Sequence, residues 1–214
     1  MSISPAAPGA GGPDADGLDG NSNIYANMAS QSIEVTETEQ PIEIAAYEFI
    51  PDAMGPGKFR GGAPFRRDYR FLAEEGILQV RSDRRDFRPY GLYGGGPGKP
   101  SMNYLNPHSE NRPLSSKLTM TIRRGDTFRH EVAGAGGWGD PLERDPAMVL
   151  KDVRNELVSE RSAHEDYGVV LVGKPLSVDE AATRAVREKL RHARNWPREP
   201  MISWEPPVIA MAAE

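Results

Sequence analysis

The chain has 214 residues, 38% of them hydrophobic and 27% charged, with a formal net charge of −5 at pH 7, enough for one domain with a real core or one domain plus a small appendage. This mild acidity argues against nucleic acid as the main partner, because neutralising phosphates takes a basic surface. Cysteine is absent, which excludes disulfides, thiolate zinc sites and a cysteine nucleophile, and suits a reducing cytosol.

Residues 1–20, opening MSISPAAPGAGGPDADG, have neither a basic n-region nor an apolar h-region. No window holds the roughly 20 apolar residues that span a bilayer, so the expectation is a soluble cytoplasmic chain with no membrane association. Rich in Gly, Pro, Ala and Asp, residues 1–20 read as a flexible N-terminal arm or an extended strap. Residues 21–194 read as the main domain, and 195–214 as a Pro-rich extended tail. Ile33 to Ile50 alternates apolar and polar positions around Pro41, predicting two strands or one strand broken at the proline. After the turn formers of 51–64, RRDYRFL and ILQVRSDRR read as strands joined into a hairpin by AEEG. Phe87 to Pro113 reads as a long loop ordered by its aromatics. Residues 114–133 predict a second hairpin, with Arg124-Gly125-Asp126 near its turn.

Helices come last. Asp145 can cap and Pro146 can open one helix; Ser159 can cap a short one ending before Gly168. Ser177 and Glu180 have the spacing of a capping box for a third. The expected class is α+β, mainly antiparallel β with long Gly/Pro loops, followed by two or three C-terminal helices.

The most unusual segment is Gly134-Ala135-Gly136-Gly137-Trp138-Gly139-Asp140-Pro141. Consecutive glycines let the backbone take positive φ and let another group approach its N–H donors, as in an anion-binding nest. The plainer reading is a tight crossing from the last strand to the first helix. Four glycines exceed what a turn needs, so a partner chain or the reacting substrate is expected close to this backbone. Gly94 to Pro100 resembles a phosphate cradle only superficially and reads as a structural or interface loop. Arg84 and Arg85 sit at a strand end, where a planar guanidinium could clamp a substrate or join a surface ion-pair network. Glu34, Glu37 and Glu39 read as a solvated edge, with Glu37 and Glu39 sharing a strand face. His108, His130, His164 and His192 lack metal-ligand spacing and read as surface or capping residues. No Gly-x-Ser-x-Gly nucleophile elbow occurs. The residues alone display no complete catalytic apparatus.

Several stretches, in order, resemble the C-terminal third of the hydantoinase B/oxoprolinase family. They are DGLDG at 16–20, ETEQPIEI, FIPDAMGPGKFRGG with DYRFL, SDRRDFRPYGLYGGGPGKP, LSSKLTMTIRRGD, AGAGGWGDPLERDP, and VLKDVRNELVS with HEDYGVVL. The run starting at Gly136 and the triplet Asp83-Arg84-Arg85 are the most specific pieces. The resemblance implies a complex with a hydantoinase A-type ATP-binding subunit. Such complexes open cyclic amides or carboxylate ketones, with ATP phosphorylating an oxygen. It also implies a larger chain carrying the N-terminal hydantoinase B region, whose Asn-Asp-Pro-type motif and metal-ligand-like His/Asp residues are not in this sequence. ATP and a divalent metal are then expected on partner chains, with no cofactor or metal bound here. Met1 and the polar leader fit a separately encoded subunit. The substrate-chamber candidates are Arg84, Arg85, Gly136, Gly137, Trp138, Gly139 and Asp140, with no catalytic residue assigned. The expected function is a subunit of an ATP-dependent cyclic amidohydrolase; the alternatives are a ketone carboxylase subunit and a purely structural assembly subunit.

Overall fold

The computed structural model describes residues 8–21 and 31–193; the Pro-rich tail of 195–214 and residues 1–7 of the arm lie outside the described residues. Among the described residues the chain is α+β and mainly antiparallel, with one α-helix before the strands and three after the last strand of the main sheet.

That first helix, α1 (Ile33–Glu39), replaces the first of the two expected strands. Only Ile33 and Val35 carry the period-two pattern there, too few to decide between strand and helix. The Thr36 side chain is buried and its hydroxyl donates to the Ser32 carbonyl at 2.9 Å. Pro41 then ends the helix, because the residue before a proline is kept out of the α region; Gln40 is extended (φ −127°, ψ 145°). Glu34, Glu37 and Glu39 are therefore exposed on a helix and not on a strand, and Glu37 accepts the Ile44 N–H at 2.7 Å. The second expected strand is β1 (Ile42–Phe49).

Neither expected hairpin is one. β2 (Phe65–Phe71) pairs with β1 and with β7 (Thr127–Glu131), whereas β3 (Glu75–Arg81) pairs with β6 (Lys117–Arg123). The register runs Arg70↔Thr127 on one side of the bend and Glu75↔Arg123 on the other. Residues 65–81 thus form one bent strand lying antiparallel to a second bent strand, 117–131. Hydrogen bonds from Phe71 N–H to Asp126 O (2.8 Å) and Arg124 N–H to Glu74 O (3.2 Å) carry the pairing round the corner. Gly125, at φ 88°, supplies the left-handed position the bend requires. The turn residues do change the direction of the chain, but what they make is a corner of a long ribbon and not the two expected hairpins.

The stretch expected as one long loop contains β4 (Met102–Leu105) and β5 (Arg112–Pro113). β4 pairs with β7, Asn103 opposite His130, completing a sheet of order β1-β2-β7-β4-β5. Three helices follow. Asp145 caps α2 (Pro146–Arg154) by accepting the Ala147 N–H at 2.8 Å, and Ser159 caps α3 (Glu160–Glu165) by accepting the Ser162 N–H at 3.1 Å. α4 (Glu180–Ala193) is capped by Asp179, which accepts the Ala182 N–H at 2.9 Å. Ser177, the expected cap, instead pairs in a short ladder between β8 (Leu171–Val172) and β9 (Ser177–Val178). Val149, Leu157, Val158, Ala163, Tyr167 and Val169 form the helical core, joined by Met54.

Two features tie these layers together. The first is a plug of glycine-rich segments packed backbone on backbone. Gly11 N–H donates to Gly136 O (3.0 Å), Gly55 N–H to Ala135 O (2.7 Å), Gly62 N–H to Gly9 O (2.8 Å) and Gly137 N–H to Gly96 O (3.0 Å). The second is a buried ion network. Arg144 grips Asp16 with both terminal nitrogens (2.6 and 2.7 Å), Arg60 grips Asp19 (2.7 and 3.1 Å), and Asp152 bridges the two guanidiniums at 2.8 and 3.1 Å. Burial works against the charge on Asp19, yet hydrogen bonds from Arg60 and the Ala63 N–H win and hold its carboxyl below the usual range. The paired aspartates of DGLDG thereby pin residues 16–19 onto the body of the domain.

Candidate functional site

A cleft of about 950 Å³ is lined by β2, β3 and β7 and by residues 134–136, a size within the range of small-molecule sites. Tyr69, Phe71, Ile77, Leu78, Val80 and Phe128 supply its apolar walls, and Ser82, Asp83, Arg84, Ser101 and His130 its polar end. The walls follow from strand alternation: Tyr69 and Phe71 on β2 share a face with Phe128 and His130 on β7. The opposite face of the same sheet is ionic, with Asp68 accepting two bonds from Arg129 at 2.7 and 2.6 Å.

Of the residues expected at a chamber, the fold brings Arg84 and Gly136 to this cleft. Arg84 is exposed at φ 64°, an uncommon conformation for a side-chain-bearing residue, and its carbonyl accepts the Ser101 N–H at 3.0 Å. Arg85 turns away and donates to the Leu114 carbonyl at 2.6 Å. Gly137, Trp138, Gly139 and Asp140 are not among the lining residues. Trp138 packs against Tyr93 with ring centroids 4.2 Å apart, and its backbone bridges Phe59 and Leu92. Asp140 accepts the Leu142 N–H at 2.8 Å and caps the 3₁₀ turn Pro141–Glu143. What approaches the glycine backbone is the chain's own backbone: a Cβ on Gly136 would overlap the Tyr90 carbonyl, and one on Gly137 the Pro56 carbonyl.

Ser101 and His130 were missed from the sequence. His130 is neither a surface nor a capping residue; its ring Nδ1 lies 2.6 Å from Asn103 Oδ1, and burial pushes its pKa down to about 4. The signal was present in the strand TFRHE, where His130 falls two residues after the inward Phe128. A pH dependence follows. Above about pH 6.5 the ring is neutral in folded and unfolded chain alike. As pH falls from 6.5 to 4 the unfolded chain takes up a proton that the folded chain refuses, so stability declines across that window. Thermal melts should lose several degrees there, and His130→Gln should flatten that decline; an unchanged slope in the variant would show that another group titrates.

Among the described residues no three His, Asp or Glu side chains converge to hold a metal ion. No described helix is long and apolar enough to cross a membrane.

The sequence pattern of the family described as hydantoinase B/oxoprolinase matches residues 1–141. The chain belongs to the hydantoinase B/oxoprolinase family. Among its relatives, an uncharacterized protein of Methanocaldococcus jannaschii is 37% identical over 157 residues, covering 72% of this chain and 28% of that protein. Caprolactamase subunit beta of Pseudomonas jessenii is 32% identical over 168 residues, 76% of this chain and 29% of that one. The crystal structure of the ATP-dependent caprolactamase from Pseudomonas jessenii superposes with a TM-score of 0.70 at 28% identity, over 85% of this chain and 32% of the other. This hydantoinase B-type chain thus spans about three tenths of the length of the relatives it matches.

Proposed function

We propose that the chain is a non-autonomous part of an ATP-dependent cytoplasmic enzyme that opens a cyclic amide of the hydantoin, oxoproline or lactam type. The observation that carries this reading is the 32% identity to caprolactamase subunit beta over 76% of the chain. In this reading the cleft completes a substrate chamber. ATP is bound by a hydantoinase A-type subunit, and a divalent metal by the remainder of the hydantoinase B length. Phosphorylation of the amide oxygen would turn a poor acyl donor into one that water can open.

The test is recovery of the tagged full chain with its partners from its native host, followed by assay with ATP and hydantoin, 5-oxoproline or caprolactam. Ring-opened amino acid, formed only with ATP, is the expected product. ATP turnover that instead requires a ketone and bicarbonate would replace this reading with a ketone carboxylase. A structural assembly role is the second reading, favoured by the closure of the glycine segment on its own chain. Arg84→Ala decides between them: unchanged turnover in an intact complex supports the structural role, and a tenfold or greater loss supports the chamber.

A further inference from the structure

The polar end of the cleft carries a donor, Ser101 just before β4, and an acceptor, His130 on the neighbouring β7. Asn103 Nδ2 donates to the Ser115 carbonyl (3.3 Å) and to Ser82 Oγ (2.8 Å). A carbonyl can only accept, so the amide orientation is fixed and Oδ1 is the atom facing His130 Nδ1 at 2.6 Å. Nδ1 must then carry the ring proton, which leaves Nε2 of the neutral ring as a lone-pair acceptor. Ser101 is 4% exposed, lines the same cleft, and its Oγ has no hydrogen-bond partner. A buried hydroxyl left unpaired is unfavourable and gains when a ligand supplies an acceptor. Both residues continue the inward alternation of β4 and β7, Ser101 two residues before Asn103 and His130 opposite it.

We propose that this end of the cleft is a recognition subsite for a cyclic amide, with His130 Nε2 accepting the ring N–H and Ser101 Oγ donating to the ring carbonyl. The inference deepens the function proposed above and rests on it for the choice of amide as ligand. A small ring locks the amide cis, so its N–H and C=O point the same way and one wall can read both. An open-chain secondary amide is trans by about 2.5–4 kcal/mol and points them apart. The apolar walls take the methylene body. Opening the ring breaks the bond between nitrogen and carbonyl carbon, so the product no longer holds its N–H and its oxygen in the fixed cis geometry that this wall reads.

Two measurements test this. In the assembled complex, Ser101→Ala should raise KM for caprolactam about tenfold while changing kcat less than twofold, and His130→Phe should do the same. In the full chain labelled with nitrogen-15, the His130 Nε2 resonance should move when caprolactam is added and stay still with N-methylcaprolactam, which lacks the N–H. KM within twofold of wild type for Ser101→Ala, or an Nε2 signal that ignores caprolactam, overturns the subsite. If the complex opens cyclic amides while Nε2 stays still, the subsite falls and the proposed function stands. If no cyclic amide is opened yet Nε2 distinguishes the two lactams, the function falls and the subsite stands.

Discussion

Arg144→Met should lower the melting temperature by roughly 6–20 °C, the largest effect expected of any single side-chain truncation in this chain. Arg144 is 1% exposed and holds Asp16 and Asp152 while also donating to the Lys58 carbonyl at 3.1 Å. Methionine keeps the aliphatic stem and removes the charge, leaving three carboxylates facing the single guanidinium of Arg60. Removing one partner of a buried ion network costs about 3–5 kcal/mol, and each kcal/mol shifts Tm by about 2–4 °C in a domain of this size. The contrast is Arg161→Met, which loses only an exposed pair with Glu165 at 3.4 Å, a surface contact of about 0.3–0.5 kcal/mol on a helix. Equal melting shifts in the two variants would mean that the network does not pin the strap.

Local chemistry was legible, and long-range pairing was not. Asp145 and Ser159 cap helices as expected because capping is a matter of three or four consecutive residues. The AEEG and Arg124-Gly125-Asp126 segments were recognisable as turns, but a turn signal does not say which strand lies opposite. One of the two partners of β2 is β7, some sixty residues away, and only the register of the folded chain discloses it. The same limit hid the candidate site. Ser101 precedes a four-residue strand inside what reads as a loop, and its meaning depends on His130 facing the same cleft. Asp16, Asp19, Arg60 and Arg144 lie in the stretches most like the family, yet nothing local pairs them; Asp16 and Arg144 are separated by 128 positions.

The glycine segment invites a different expectation from the one its sequence suggests. A loop bordering a chamber would let Gly137→Val assemble with its partners and lose turnover about tenfold. The packing predicts instead that Gly137→Ala already prevents a stable fold. A Cβ at Gly137 would lie 2.6 Å from the Pro56 carbonyl carbon and 2.7 Å from the Gly55 carbonyl oxygen, and both are backbone atoms with no rotamer to yield. Moving them breaks bonds that the same segment makes, Gly137 N–H to Gly96 O at 3.0 Å and Leu92 N–H to Gly137 O at 2.9 Å. Each buried polar group left unsatisfied costs about 1–3 kcal/mol, so two or three together consume most of the roughly 5–15 kcal/mol that holds a domain folded. Gly12→Ala is the matched control, because its Cβ meets nothing closer than 3.7 Å. Circular dichroism melts should show a cooperative transition close to wild type for Gly12→Ala and none for Gly137→Ala. A Gly137→Ala chain that melts within about 3 °C of wild type would mean that the segments are not packed backbone on backbone, and would return residues 137–140 to the chamber.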